Sequence, residues 1–178
     1  MHEIQIAFKK TNSNKSSNVC KTIGWWTRGP YCHTEIIIKQ NNVHYMWTAD
    51  VVTNTIRRKP HKHNPSVYDY KTIKVTEEQI STILMFLTMV EDAEYDFTGI
   101  AGFIFPLRDR TDKWFCSELC SNCLKIIGYK ELLPLEPALI SPNRLAGIVG
   151  LLDKQYESRI STFIPFLKTL SLKGVDDD

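Results

Sequence analysis

Trp114-Phe115-Cys116-Ser117-Glu118-Leu119-Cys120-Ser121-Asn122-Cys123-Leu124-Lys125-Ile126-Ile127-Gly128 carries one apolar stripe at helical spacing, made of Leu119, Cys120, Cys123, Leu124 and Ile127. Gly128 follows as a stop, so the spacing predicts a buried helix beginning near Cys116. A thiol at a helix start faces backbone N–H groups without carbonyl partners and the positive end of the macrodipole, and both favour thiolate over thiol. The same N–H groups can hold the oxyanion formed when a thiolate attacks a carbonyl. Cys116 is therefore the candidate nucleophile, and the Cys116 amide is the natural oxyanion donor. Cys120 and Cys123, four and seven residues on, fall on the inward face and are expected in the core.

Such a thiolate needs a base, and the histidines are His2, His33, His44, His61 and His63. His33 belongs to Tyr31-Cys32-His33-Thr34-Glu35-Ile36-Ile37-Ile38, a β-branched run that reads as a buried strand. A rigid strand can aim an imidazole. Glu35, two residues on, projects from the same face.

The flanking sequence completes an α+β pattern. Residues 3–9 alternate as a first strand, 11–17 form a polar loop, and 19–26 read as a short helix closed by Arg28-Gly29-Pro30. At least one of Trp25 and Trp26 is expected in the core, with the other a candidate substrate wall. Asn41-Asn42 marks a hairpin turn between the His33 strand and a partner strand over 43–48. A short strand is expected over 54–59 and another over 67–75. Arg57 to His63 is a basic run broken by Pro60, expected as a solvated loop. Thr76 and Gln79 make a capping box for a helix whose apolar face holds Ile80, Ile83, Leu84, Leu87 and Val90. Residues 97–106 read as a short helix and 107–113 as a charged loop. Ser141-Pro142 predicts a helix over 143–152. A last helix over 160–170, interrupted at Pro165, precedes an acidic tail.

Composition bounds the rest. The 178 residues fit one domain over 1–178, 43% hydrophobic and 24% charged, and a formal charge of +2 calls for no nucleic-acid partner. Five cysteines, an odd number with three on one helix, are expected as free thiols of a reducing compartment. The start of the chain shows no signal pattern and no window approaches a membrane span, which suits a cytoplasmic protein. The spacing Cys-x3-Cys-x2-Cys also matches an iron–sulfur signature of radical enzymes. Those thiolates stand on a loop early in a large barrel, whereas these lie on a late helix of a short chain, so neither metal nor other cofactor is expected.

A strand histidine ahead of a helix-start cysteine resembles the circularly permuted branch of the papain-like cysteine hydrolases, the YiiX type related to NlpC-like peptidases. The likeness rests on residues 31–38, on Tyr95-Asp96-Phe97-Thr98-Gly99-Ile100-Ala101-Gly102-Phe103, on Trp114 to Leu119 and on Ser141-Pro142-Asn143-Arg144-Leu145. These are similar to small members encoded by bacteriophages and large DNA viruses, which implies the host cytoplasm as the place of action. The resemblance implies an antiparallel sheet packed on helices, Cys116 as nucleophile and His33 as general base and acid. Lecithin:retinol acyltransferase and its relatives share the permuted order. The implied reaction is thus amide hydrolysis, thioester hydrolysis or acyl transfer on a peptide, peptidoglycan fragment, modified protein or lipid. The family's third residue, expected on the strand after the histidine, is not a carboxylate here. Glu35 ranks first as the group fixing the imidazole, then His44, then Thr48. The other function class is a binding module on the same scaffold, which would be indifferent to Cys116→Ala. For Cys116 itself the plain alternative is a core cysteine.

Overall fold

The structure is a computed structural model, and it describes residues 1–14, 16–50, 53–95 and 113–152. The expectations for 97–106, for most of 107–113, for the final helix over 160–170 and for the acidic tail lie outside the described residues, as does most of the resemblance over 95–103.

The chain is α+β. Five antiparallel strands form the body of the sheet: β1 (His2–Lys10), β2 (Tyr31–Gln40), β3 (Val43–Asp50), β4 (Thr55–Pro60) and β5 (Tyr68–Val75). Their order is β5-β1-β2-β3-β4, extended past β4 by two short strands that the sequence did not announce, β6 (Glu94–Tyr95) and β7 (Lys113–Trp114). β6 pairs antiparallel with β4 and parallel with β7, whose last residue lies just before the cysteine helix. Asn41 and Asn42, with φ of 48° and 64°, turn the chain from β2 into β3. Both dihedrals are what a two-residue hairpin of matching twist requires.

Four α-helices lie among the described residues, α1 (Asn18–Trp26), α2 (Glu77–Val90), α3 (Cys116–Ile126) and α4 (Pro142–Ile148), with a short 3-10 turn over Pro137–Leu139. The α2 capping box is closed in both directions, Gln79 N–H donating to Thr76 Oγ1 at 3.1 Å and Thr76 N–H to Gln79 Oε1 at 2.9 Å. α4 stops four residues short of the predicted end, at Ile148. The amides of Val149, Gly150 and Leu151 fold back onto helix carbonyls, and Gly150 takes φ of 73°. That left-handed conformation ends a helix and suits glycine.

Strand alternation divides the apolar residues between the two faces of the sheet. Ile4, Ile6, Phe8, Ile36, Ile38, Trp47, Ala49 and Ile56 pack with Ile83 and Leu87 of α2 and with Leu119, Cys120, Cys123 and Leu124 of α3. Each fully buried Ile or Leu contributes roughly 1.5–3 kcal/mol relative to exposure, so this layer fixes how α3 lies on the sheet. The other face holds a smaller cluster of Ala7, Ile37 and Met46 under Tyr68 and Tyr70.

Two expectations are corrected. Cys20 and Cys32 are joined in a disulfide, their Cα atoms 5.0 Å apart, so only Cys116, Cys120 and Cys123 are free thiols. The pairing depends on α1 folding back along β2, which cysteine counting cannot reveal. Trp25 and Trp26 are 80% and 42% exposed, so neither belongs to the core. α1 turns Cys20, Ile23 and Gly24 inward instead.

Candidate active site

β1 and β2 pair along the whole start of β2, from Ala7↔Glu35 to Lys9↔His33 and, past a bulge, Lys10↔Tyr31. The β2–β3 register ends earlier, at Ile36↔Trp47, although β2 begins at Tyr31 and β3 runs on to Asp50. The first residues of β2 thus have β1 on one side and are left, on the other, to the start of α3.

Cys116 is the first residue of α3, preceded by Phe115 in extended conformation at the cap position. Phenylalanine has no side-chain acceptor to cap a helix. Glu118 supplies the closure, its Oε2 accepting the Phe115 N–H at 3.3 Å. Glu118 is thereby accounted for in opening the helix, as a carboxylate in a first turn usually is.

His33 lies close enough to Cys116 for the sulfur to act on the imidazole through its charge and as a hydrogen-bond acceptor. On its far side, Nε2 lies 3.0 Å from Thr48 Oγ1 and 3.6 Å from Glu35 Oε1. Thr48 also helps to lower the Glu35 carboxyl. A protonated imidazole donates from both nitrogens and a hydroxyl donates once. With Nε2–H given to Thr48 Oγ1, Nδ1–H is the donor left for the sulfur. Lys59 Nζ stands 3.7 Å from the same Glu35 oxygen.

The electrostatics follow this chain of contacts. Burial alone drives His33 down, but it is outweighed by the charge of Cys116 and its hydrogen bond, then by Glu35, and the group is raised to about 10. Burial drives Glu35 up, and the hydrogen bond and charge of His33, with Lys59 and Thr48, overcome this and hold it at about 2. His33 is accordingly an imidazolium, and Glu35 a carboxylate, across the neutral range. Burial, joined for Cys120 by its thiol neighbours, raises Cys120 and Cys123 well above the ordinary thiol range. They remain protonated core groups.

Of the candidates named from sequence, Cys116, His33, Glu35 and Thr48 come together, and His44 does not. His44 is exposed and pairs with Lys39 at the hairpin end of β3. Lys59 was hidden in a basic run expected to be a loop. Its first four residues instead belong to β4, where Met46↔Lys59 and Thr48↔Arg57 put Lys59 on the Thr48 face. Period-two alternation carried from β3 to β4 was the signal that could have found it. His61 and His63 pack on Tyr70, with His63 stacked at 4.0 Å. Among the described residues, no group of three or more His, Cys, Asp or Glu is placed to hold a metal ion.

Access is narrow. Cys116 is fully buried and Glu35 nearly so, whereas the His33 side chain keeps 17% of its surface open.

No protein-family model matches the chain, and no curated protein matches it.

Proposed function

We propose that this protein is a cysteine-dependent hydrolase or acyltransferase of the permuted papain-like kind, acting on an amide or thioester. The observation that carries the reading is the contact between His33 and a cysteine at the first position of a helix, with a buried carboxylate behind the imidazole. In the acylation step the Cys116 sulfur attacks the carbonyl carbon. The first-turn N–H groups of α3 stabilise the tetrahedral oxyanion. The His33 imidazolium gives its Nδ1 proton to the leaving amine or thiol as the carbon–heteroatom bond breaks. Neutral His33 then takes a proton from water, which attacks the acyl-sulfur bond and releases the acid; an alcohol or amine in place of water gives transfer. Glu35, through Thr48, keeps the ring oriented and stabilises its charged form, the part an acid plays behind a catalytic histidine.

Iodoacetamide at pH 6 followed by mass mapping tests this. Cys116 should be labelled well ahead of Cys120 and Cys123, and the labelling should fall away in His33→Ala. Equal labelling of the three thiols, or none at Cys116, would remove the reading.

One observation favours a second reading, a binding module on the same scaffold: the sulfur of Cys116 has no exposed surface. Cys116→Ala separates the two. A catalyst loses turnover with its fold intact, and a binder is unaffected.

A further inference from the structure

We propose that the short segment Ile140–Asn143 is a clamp that sets the separation of Cys116 and His33, with Ser117 and Asn143 as its positioning residues. The inference rests on the Cys116–His33 couple proposed above and adds what holds the couple at its distance.

The segment grips both partners. At one end, the fully buried Ser117, next in chain to the nucleophile, donates its hydroxyl to the Ile140 carbonyl at 2.5 Å. At the other end, the fully buried Asn143 takes both backbone groups of Tyr31, two residues before His33. Its Oδ1 accepts the Tyr31 N–H at 2.9 Å and its Nδ2 donates to the Tyr31 carbonyl at 2.8 Å. A carboxamide can replace a neighbouring strand residue in this way, and β2 has no β3 partner at that point. The second Nδ2 proton goes to Thr27 Oγ1 at 2.5 Å. That hydroxyl has spent its own proton on the Ile23 carbonyl at 2.8 Å, so the orientation of the Asn143 amide is determined.

The connector between the two grips is stiff. Ser141 caps α4 by accepting the Arg144 N–H at 3.2 Å, and Pro142 fixes its own φ at the first helical position. Behind it, Leu145 and Ala146 are fully buried in the main core. Tyr31 and His33 are joined through Cys32 alone, where the β2 register shifts against β1. A shift of the Tyr31 backbone is therefore passed directly to the His33 backbone, and a shift of the Ser117 end moves the start of α3.

The test uses the full chain, following the His33 ring by NMR titration and the rate of Cys116 alkylation by iodoacetamide, in wild type and in Ser117→Ala, Asn143→Asp and Cys116→Ala. Ile83→Val, a core truncation on α2 that removes none of these hydrogen bonds, reports general softening. Loosening the clamp should lower the His33 midpoint by about 1 pH unit and slow alkylation about tenfold in Ser117→Ala and in Asn143→Asp, while Ile83→Val changes neither. If Asn143→Asp fails to fold, Ser117→Ala, which removes only a hydroxyl, decides alone. A His33 midpoint that does not fall in Cys116→Ala would show that the couple itself is absent. A midpoint that falls there, with both readouts unmoved in Ser117→Ala or moved equally by Ile83→Val, would overturn the clamp and leave the couple standing.

Discussion

Thr48 Oγ1 lies 3.0 Å from His33 Nε2, inside the 3.6 Å that separates the same nitrogen from the Glu35 carboxylate. The imidazole is thus oriented by a neutral hydroxyl and held in its charged form by Cys116 and by the acid behind it. Division of the two tasks lets the carboxylate stay buried without approaching the ring closely. It also makes the hydroxyl, which is replaceable by an isosteric methyl, the part most open to test.

Thr48→Val should slow Cys116 alkylation at pH 6 about tenfold, the equivalent of one hydrogen bond to a charged group. Thr48→Ser should stay close to wild type, because it keeps the hydroxyl and loses only a methyl. Second-order alkylation rates of the two variants check this. Equal rates would mean that Glu35 orients the ring unaided.

Glu35 is buried against two cations, His33 and Lys59. Glu35→Gln removes a counter-charge from each, and such a change costs about 3–5 kcal/mol when the group left behind is buried. Lys59 is 39% exposed, so Lys59→Met should cost no more than about 1 kcal/mol, as expected of a solvent-screened pair. Urea unfolding of both variants measures the asymmetry. Equal losses would contradict the burial that the structure assigns to Glu35.

The parts of this site that the sequence made legible are those with a local signature. Apolar periodicity put Cys116 at a helix start, and β-branched alternation put His33 and Glu35 on one strand face. Glu35 ranks ahead of Thr48 from the sequence, yet Thr48 makes the direct contact with the ring; that was not legible, because it depends on how β2 and β3 part beyond Ile36↔Trp47. Asn143 and Ser117 gave no sign of their roles, since each acts on a backbone group more than twenty residues away. The tryptophans misled for a similar reason. Adjacent aromatics suggest a core, but α1 rests on the sheet through Cys20 and Ile23, in one cluster with Cys32.

The Cys20–Cys32 bond ties α1 to the residue before His33 across a sequence separation of 12. A loop of this length is typically stabilised by about 2–4 kcal/mol on closure. The Cys20→Ser, Cys32→Ser double variant should lose stability of that order in urea. Protein purified without reductant should be lighter than the fully reduced chain by the hydrogens lost on oxidation. An intact mass equal to that of the reduced chain would contradict the pairing.

The pH dependence of stability follows from the same two groups. His33 has its ordinary value at 6.5 in the unfolded chain and about 10 when folded, so its contribution is whole below 6.5 and is lost as pH rises through about 10. Glu35 moves the other way, from 4.5 to about 2, so its contribution is whole above 4.5 and is lost as pH falls through about 2. Both are fully in place between 4.5 and 6.5, and the urea midpoint should decline on either side of that window. In Cys116→Ala one of the interactions holding the imidazolium is gone, so the alkaline decline should be shallower and complete at lower pH. Glu35→Gln should remove the Glu35 part of the acid decline. Midpoints that run parallel in wild type and Cys116→Ala from pH 6.5 upward would mean that the sulfur does not help to hold His33 protonated.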